Sequence, residues 1–157
     1  MAIRDPGELK DLLRPGARLL GLDLGEKTIG LALSDTLLTI ATPMQTLSRG
    51  KFAADAARLD IIISAQGVGG LVVGLPLNMD GGDGPSAQSA RAFARNWAAR
   101  SEIPVALWDE RLSTSAVTRT LIEADASRRR RDEVVDKMAA AYILQGVLDR
   151  LRHMGGG

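Results

Sequence analysis

Residues 19–25 read Leu-Leu-Gly-Leu-Asp-Leu-Gly, an apolar strand with one aspartate, Asp23, in its interior. Strand side chains alternate between the two faces of a sheet, so Leu19 and Gly21 share one face with Asp23, and the intervening leucines occupy the other. Apolar residues on both faces are typical of a strand at the centre of a sheet. A lone carboxylate is costly to bury there. Asp23 is therefore expected either to pair with a cation or to bind a metal ion.

The segments around this strand predict a mixed sheet covered by helices. Apolar strands at 28–34 and 39–44 continue the first strand as a meander, in which Pro43 indicates an edge strand or a strand end. Buried strands are predicted at 71–75 and 104–108, and helices at 5–13, 52–66, 85–100, 113–123 and 132–151. This order predicts an α/β fold with helices on both faces of the sheet. We expect one domain over residues 1–157, with 1–16 as an N-terminal extension and 153–157 as a flexible tail.

The composition restricts the chemistry of any site. The chain has no cysteine and a single histidine, which excludes disulfides, thiolate metal sites and histidine-rich metal sites. A metal would therefore be bound by oxygen, which indicates Mg²⁺ or Mn²⁺. Aromatic residues make up only 3% of the chain, so base stacking is not expected to dominate binding, and both tryptophans are expected in the core. No signal peptide or membrane-spanning run is recognisable, so we expect a cytoplasmic protein without a membrane partner.

Three acidic residues occupy positions where a carboxylate is unusual. Asp23 lies within a buried strand, and Glu110 follows the strand that ends near Trp108. Asp136 lies on the last helix in line with the apolar positions Ala140, Ile143 and Val147. Carboxylates that converge without local cations repel one another, and divalent cations remove that repulsion. The three acids together predict a metal site that could hydrolyse a phosphodiester.

Each acid also has a purely structural explanation. Asp23 could pair with Lys27 or Arg111, and Glu110 could pair with Arg111 at a solvated strand end. Asp136 could be a first-turn acid that the helix dipole stabilises. The metal hypothesis therefore depends on the set of acids and on no single one of them.

Four segments resemble the signatures of one protein family, in the order in which that family has them. They are Gly21–Gly30 (GLDLGEKTIG), Val73–Gly81 (VGLPLNMDG), Asp109–Thr114 (DERLST) and the pair Val134–Ala140 and Ile143–Gln145 (VVDKMAA and ILQ). The chain resembles the YqgF/RuvX family of pre-16S rRNA nucleases, which is also described as Holliday junction resolvase-like. The resemblance covers nearly the whole chain.

This resemblance implies a ribonuclease H-like fold, with a five-stranded mixed sheet whose first three strands are antiparallel. It implies that Asp23, Glu110 and Asp136 bind the metal and form the catalytic set. The implied function is processing of the 5′ end of pre-16S rRNA during ribosome biogenesis. The implied partners are structured RNA and ribosomal precursor particles, and the alternative is resolution of four-way, branched DNA.

Further residues are candidates for substrate contacts. Lys27 and Arg111 follow strands that carry the acids, and Asn78 lies in a glycine-rich loop that precedes a helix, where backbone N–H groups can bind phosphate. A basic run at Arg128, Arg129, Arg130 and Arg131 could follow a nucleic-acid backbone. The alternatives are a solvated turn lysine, a plain turn, an arginine paired with a neighbouring acid, and a solvated loop.

Two other functions fit parts of the pattern. A strand-aspartate-glycine hairpin also begins the phosphate loop of sugar and acetate kinase-like ATPases, but such enzymes need two similar lobes and 157 residues supply one. A non-catalytic nucleic-acid-binding module could keep the fold, but the intact set of three acids argues against it.

Overall fold

Five strands and four helices make up the described part of the chain. The computed structural model of the protein describes residues 3–78, 80–112 and 128–155, and within these ranges it describes side chains except at 128–136 and 153–155. The strands β1 to β5 span Arg18–Leu24, Thr28–Ser34, Ala41–Ser48, Val68–Leu75 and Val105–Asp109. The helices α1 to α4 span Leu9–Leu12, Phe52–Gln66, Pro85–Arg100 and Arg128–Gly155. Short 3-10 turns lie at Pro6–Glu8 and Glu110–Leu112.

The strands form one mixed sheet in the order β3-β2-β1-β4-β5. β1 pairs antiparallel with β2, and β2 pairs antiparallel with β3, whereas β1, β4 and β5 are parallel. The expected five-stranded sheet with three antiparallel strands first is thus confirmed, and β1 lies at its centre. Because β1, β4 and β5 are parallel, they end on the same side of the sheet, which we call its carboxyl end.

Each face of the sheet is covered by helices, and the residues of β1 alternate between them as expected. Leu20 and Leu22 pack in a core cluster with residues of α2 and α3. Leu19 packs in the second cluster, with α1 and α4. Trp97 and Trp108 are buried, one in each cluster, so the expectation that both belong to the core is confirmed.

The third strand differs from its predicted bounds, because it begins at Ala41 instead of residue 39 and continues to Ser48. The backbone N–H groups of Thr39 and Ile40 donate to Asp35 Oδ1, which retains these two residues in the preceding loop. Pro43 lies on this edge strand, opposite Ala32 and next to a register shift. Its position agrees with the prediction of an edge, where a missing N–H interrupts no central ladder.

The described part of the last helix spans Arg128–Gly155, so the arginine run at 128–131 is helical, whereas the sequence predicted a helix from about Asp132. Arginine has a high helix propensity, so the run continues the helix toward its N-terminus instead of ending it. The helix extends to Gly155. The helix predicted at 113–123 lies outside the described residues.

The N-terminal segment packs on the domain. Arg4 N–H donates to the carbonyl of Val105 on the edge strand β5 at 2.8 Å, and Leu9 is fully buried in the cluster beneath α4. Within the described ranges, no helix combines the length and the apolar character needed to cross a membrane.

Candidate active site

Asp23 and Glu110 lie at the carboxyl end of the sheet, on the face that α4 covers. Asp23 shares a face of β1 with Gly21, and a Cβ on Gly21 would approach Leu144 Cβ of α4 to 2.8 Å. Asp23 and Glu110 are 7% and 4% exposed. Burial of two acids on one face of the sheet is costly unless cations or hydrogen bonds compensate for it.

Gly74 leaves room for the Glu110 carboxylate and for Ile143 of α4. It lies on β4, opposite Trp108 of β5 and one position beyond the residue that pairs with Leu22 of β1. A Cβ at Gly74 would lie 3.3 Å from Glu110 Oε2 and would collide with Ile143 Cδ1 of α4. The missing side chain therefore allows the Glu110 carboxylate and α4 to approach the middle of the sheet.

The 3-10 turn after β5 determines the directions of Glu110 and Arg111. Asp109 Oδ1 accepts the backbone N–H of Arg111 at 3.0 Å, and both carboxylate oxygens of Asp109 accept from the Arg111 guanidinium. Glu110 is buried, while Arg111 lies at the surface. The hydrogen bonds from the Arg111 side chain lower the pKa of Asp109, although partial burial opposes this shift.

Arg111 also lies against the glycine-rich loop that follows β4. Its Nη1 lies 3.5 Å from the position of a Cβ on Gly81, and the nearby Asp80 carboxylate contributes to a raised pKa of Arg111, after the larger effect of Asp109. Asn78 closes this loop, because its N–H donates to Gly82 O and its carbonyl accepts from Gly81 N–H. Of the two alternatives for Arg111, pairing with a neighbouring acid is observed, and the acid is Asp109.

Lys27, Asn78 and Arg111 follow β1, β4 and β5, so all three lie beyond the carboxyl end of the sheet. All three are exposed. In α/β sheets, ligands bind outside the carboxyl ends of the strands. The three residues predicted to contact the substrate therefore lie at the same end of the sheet as Asp23 and Glu110.

Asp136 lies on α4, one helical turn before Ala140, but its side chain is outside the described part of the structure. The carbonyl of Ala140 lies 3.0 Å from the position of a Cβ on Gly21, so the helix crosses β1 next to Asp23. Farther along, Gln145 donates to Thr39 O and accepts from Ala41 N–H at the opposite end of the sheet. Asp136 therefore lies on the part of α4 that leads toward the carboxyl end. The side chains of Arg128, Arg129, Arg130 and Arg131 are likewise outside the described part.

The donor set fits a hard divalent cation. Asp23 and Glu110 offer carboxylate oxygens, which Mg²⁺ and Mn²⁺ prefer. Among the residues whose side chains are described, no group of three acidic, histidine or cysteine side chains could hold a metal ion. A third protein ligand would have to come from a residue such as Asp136, whose side chain is not among them.

Comparison with known proteins places the chain in a family. Residues 17–150 match the family model described as "RuvX: Holliday junction resolvase". The protein belongs to the RuvX family. A relative from Paramagnetospirillum magneticum, named "Putative pre-16S rRNA nuclease", is 64% identical over 95% of this chain and 96% of its own. One of the same name from Roseobacter denitrificans is 55% identical over 97% and 94%.

The RuvX fold also occurs in a solved structure of a protein bound to DNA. The structure titled "T. thermophilus RuvC in complex with Holliday junction substrate" superposes with a TM-score of 0.52 over 88% of this chain and 96% of that one, at 14% identity. The expected ribonuclease H-like fold is confirmed, and the resemblance to the YqgF/RuvX family found in the sequence is confirmed as well.

Sequence reasoning did not identify Gly74 and Asp109 as residues that build this RuvX site. A glycine within an apolar strand often marks a close approach of another group, so the pattern at Gly74 contained a usable signal. Asp109 belongs to the DERLST segment, but only the structure reveals that it accepts the N–H of Arg111 and so fixes the turn that carries Glu110.

Proposed function

We propose that this RuvX-family protein is a metal-dependent nuclease that hydrolyses phosphodiester bonds at the 5′ end of pre-16S rRNA. The observation that carries the proposal is the burial of Asp23 and Glu110 on one face at the carboxyl end of the sheet, where the missing side chain of Gly74 makes room for the Glu110 carboxylate. Two acids so placed, with oxygen donors only, fit a cation site better than a structural role.

In the proposed site, Asp23, Glu110 and Asp136 hold Mg²⁺ or Mn²⁺. When bound, such ions supply Lewis-acid stabilisation of the charge on phosphate oxygens and favour ionisation of water. Asp23 is rigid because it belongs to the central strand, and Glu110 is fixed by the turn that Asp109 closes. This rigidity preserves the spacing of the carboxylates without reorganisation during the reaction.

Charged and polar groups around the acids would orient the substrate. Arg111 Nε and Nη2 bond Asp109, while Nη1 lies on the side of the glycine-rich loop and can donate to a phosphate oxygen. Asn78, Lys27 and the basic run at 128–131 are proposed as further contacts to the nucleic-acid backbone. Backbone contacts of this kind orient a substrate without selecting its sequence.

We propose RNA as the substrate because of the relatives that are more than half identical to this chain. Their name specifies pre-16S rRNA, and we transfer it as a proposal, with ribosomal precursor particles as partners and the cytoplasm as the place of action. The second candidate substrate is a four-way DNA junction, since the family description names Holliday junction resolution.

Cleavage of labelled substrates tests the proposal. A 5′ fragment of pre-16S rRNA and a four-way DNA junction are each incubated with the protein in Mg²⁺, Mn²⁺ or EDTA. We expect RNA cleavage that EDTA abolishes and that Asp23→Asn and Glu110→Gln each reduce by about a hundredfold or more. Asp60→Asn is the matched control, because this partly exposed acid on α2 pairs with Arg100 and lies outside the proposed site.

Three outcomes would contradict parts of the proposal. Cleavage of the DNA junction but not of the RNA would identify the four-way junction, and not pre-16S rRNA, as the substrate. Cleavage that survives both acid substitutions would refute the site. RNA binding without cleavage in any metal would favour the non-catalytic binding module.

A further inference from the structure

A polar groove lies beside the turn that follows β1. It has a volume of about 460 Å³, and its walls include Gly25 and Glu26 of the β1–β2 turn, Arg49 after β3, and Ser86 and Ser89 of α3. None of these residues belongs to the proposed catalytic set or to the substrate contacts predicted from the sequence. We call it the Arg49 groove.

Arg49 is held firmly in the wall of this groove. Its Nη1 donates to the carbonyl of Gly25 at 2.7 Å, and its Nη2 donates to Ser89 Oγ at 2.8 Å. Its backbone N–H donates to Lys27 O at 2.8 Å. A guanidinium fixed in this way loses little conformational entropy when it binds a further group.

The charge of Arg49 is not compensated by a carboxylate. Both of its side-chain acceptors are neutral, and in the described part of the chain no acidic oxygen lies within ion-pair distance of it. Six other arginines in the described part of the chain each pair with a carboxylate: Arg4, Arg58, Arg91, Arg100, Arg111 and Arg152. Since a guanidinium has five N–H donors, Arg49 retains donors for an anion.

Other groups in the groove also suit an anion. Ser86 contributes a hydroxyl in the first turn of α3, and Gly84 at the N-cap provides no side-chain cap for that helix. Glu26 is the acidic member of the wall, and it is exposed, so its carboxylate can remain in solvent. Of the two charged side chains in the groove, only that of Arg49 is fixed by hydrogen bonds to other parts of the wall that are described.

The groove is close to the proposed cleavage site. Gly25, whose carbonyl holds Arg49, is two residues beyond Asp23, which corresponds to at most ~7 Å of extended chain. Leu24 lines the groove and points away from the face that carries Asp23. A nucleic-acid strand that crosses the carboxyl end of the sheet could thus contact the two acids on one face and Arg49 on the other.

We propose that the Arg49 groove binds a phosphodiester group of the same nucleic-acid strand, beside the one that is cleaved. This inference rests on the proposed nuclease function and adds a binding subsite to it. Arg49 Nη1 and Nη2 donate to Gly25 and Ser89, and the remaining N–H groups of the guanidinium donate to the phosphate oxygens.

Salt-dependent RNA binding tests the subsite. Binding of the pre-16S 5′ fragment is measured in the Asp23→Asn background, which prevents cleavage, over a range of salt concentrations. We expect Arg49→Gln to weaken binding about tenfold and to reduce the slope of log K against log salt by about one. Arg49→Lys should retain the slope because it retains the charge. Arg91→Gln is the matched control, since Arg91 is on α3 and is already paired with Asp83.

The possible outcomes distinguish a failure of the proposed subsite from a failure of the proposed nuclease function. If Arg49→Gln binds RNA with the parental affinity and slope, the subsite is refuted and the nuclease function is untouched. If Arg49→Lys loses affinity and slope as much as Arg49→Gln, while both melt at the parental temperature, Arg49 acts only by positioning the turn, and the subsite is again refuted. If the Asp23→Asn protein binds no RNA at any salt concentration, both the subsite and the proposed substrate are refuted.

Discussion

Glu110 Oε2 lies 3.3 Å from the point where a Cβ on Gly74 would be, so the glycine of one strand makes room for the carboxylate that follows the next. The same Cβ would collide with Ile143 of α4. One missing methyl group thus controls both the approach of an acid and the packing of the helix.

We expect Gly74→Ala to lower the free energy of unfolding by about 1–3 kcal/mol, because the added methyl group overpacks the contact with Ile143. It should also reduce metal-dependent cleavage by displacing Glu110. Chemical denaturation and the RNA cleavage assay measure the two effects. Gly70→Ala is the control on the same strand and face, where the added Cβ meets only the ends of leucine side chains. Equal effects of the two substitutions on cleavage would contradict this role of Gly74.

Gly146 of α4 packs against the ring of Trp108. A Cβ there would lie 3.0 Å from both Nε1 and Cζ2 of the indole, and a ring yields less than a flexible chain. Alanine in a helix is favoured over glycine by about 1 kcal/mol, whereas overpacking costs about 1–3 kcal/mol. We therefore expect Gly146→Ala to destabilise the protein by about 1 kcal/mol.

A double-mutant cycle with Trp108→Phe tests this explanation. The smaller ring removes the indole atoms in question, so Gly146→Ala should stop being destabilising in that background. Unfolding curves of the four proteins give the coupling. Additive effects would indicate that Trp108 is not the reason for a glycine at this position.

The pKa of Asp109 depends on Arg111. We expect Arg111→Gln to raise the pKa of the Asp109 carboxyl, because the hydrogen bonds from the guanidinium are the main reason why this pKa is low. A carboxyl group whose pKa is lower in the folded protein than in the unfolded protein stabilises the folded state at pH values above its pKa in the unfolded protein. This stabilisation is lost as the pH falls through the pKa that the group has in the folded protein. The stability difference between the two proteins should therefore be present at neutral pH and disappear in acid.

Carboxyl carbon NMR of Asp109 during a pH titration measures this change. Arg91→Gln serves for comparison, since it breaks an ion pair with Asp83 and leaves Asp109 alone. An unchanged titration of Asp109 in Arg111→Gln would show that the ion pair is absent in solution.

Asp35 should titrate at unusually low pH. The hydroxyl of Thr39 and the backbone N–H of Ile40 lower its pKa from 3.8 to about 2. We expect Thr39→Val to raise this pKa, and to destabilise the protein at neutral pH by an amount that vanishes as the pH falls toward 2. NMR titration of Asp35 measures the shift, with Thr42→Val as the control on β3. A parental pKa in Thr39→Val would assign the shift to the backbone donors alone.

The sequence allowed much of the fold to be predicted, because alternation along 19–25 is a local property that burial on two faces imposes. It also indicated that Asp23 is buried, since its neighbours are apolar on both sides. A glycine within an apolar strand indicated a close approach at Gly74, but the sequence could not identify the groups that approach it, because Glu110 and Ile143 lie far away in the sequence.

Two other features were missed for different reasons. The sequence predicted the last helix only from about Asp132, although the arginines at 128–131 have high helix propensity and are helical. Arg49 belongs to no motif, and its importance arises from two acceptors, Gly25 and Ser89, that only the folded chain brings to it.

The close contact of α4 with the sheet has a consequence for how this protein tolerates mutation. Gly21 and Gly74 lie on the sheet where α4 packs against it, and Gly146 lies on α4 where it packs against the sheet. A side chain at any of the three positions would have to displace the helix or the sheet. Any larger residue at these positions would wedge the two layers apart and shift the helix that carries Asp136. In a saturation mutagenesis screen for activity, residues larger than alanine at these three glycines should be nearly as poorly tolerated as substitutions of the acids, although none of the glycines has a side chain with which to touch a substrate.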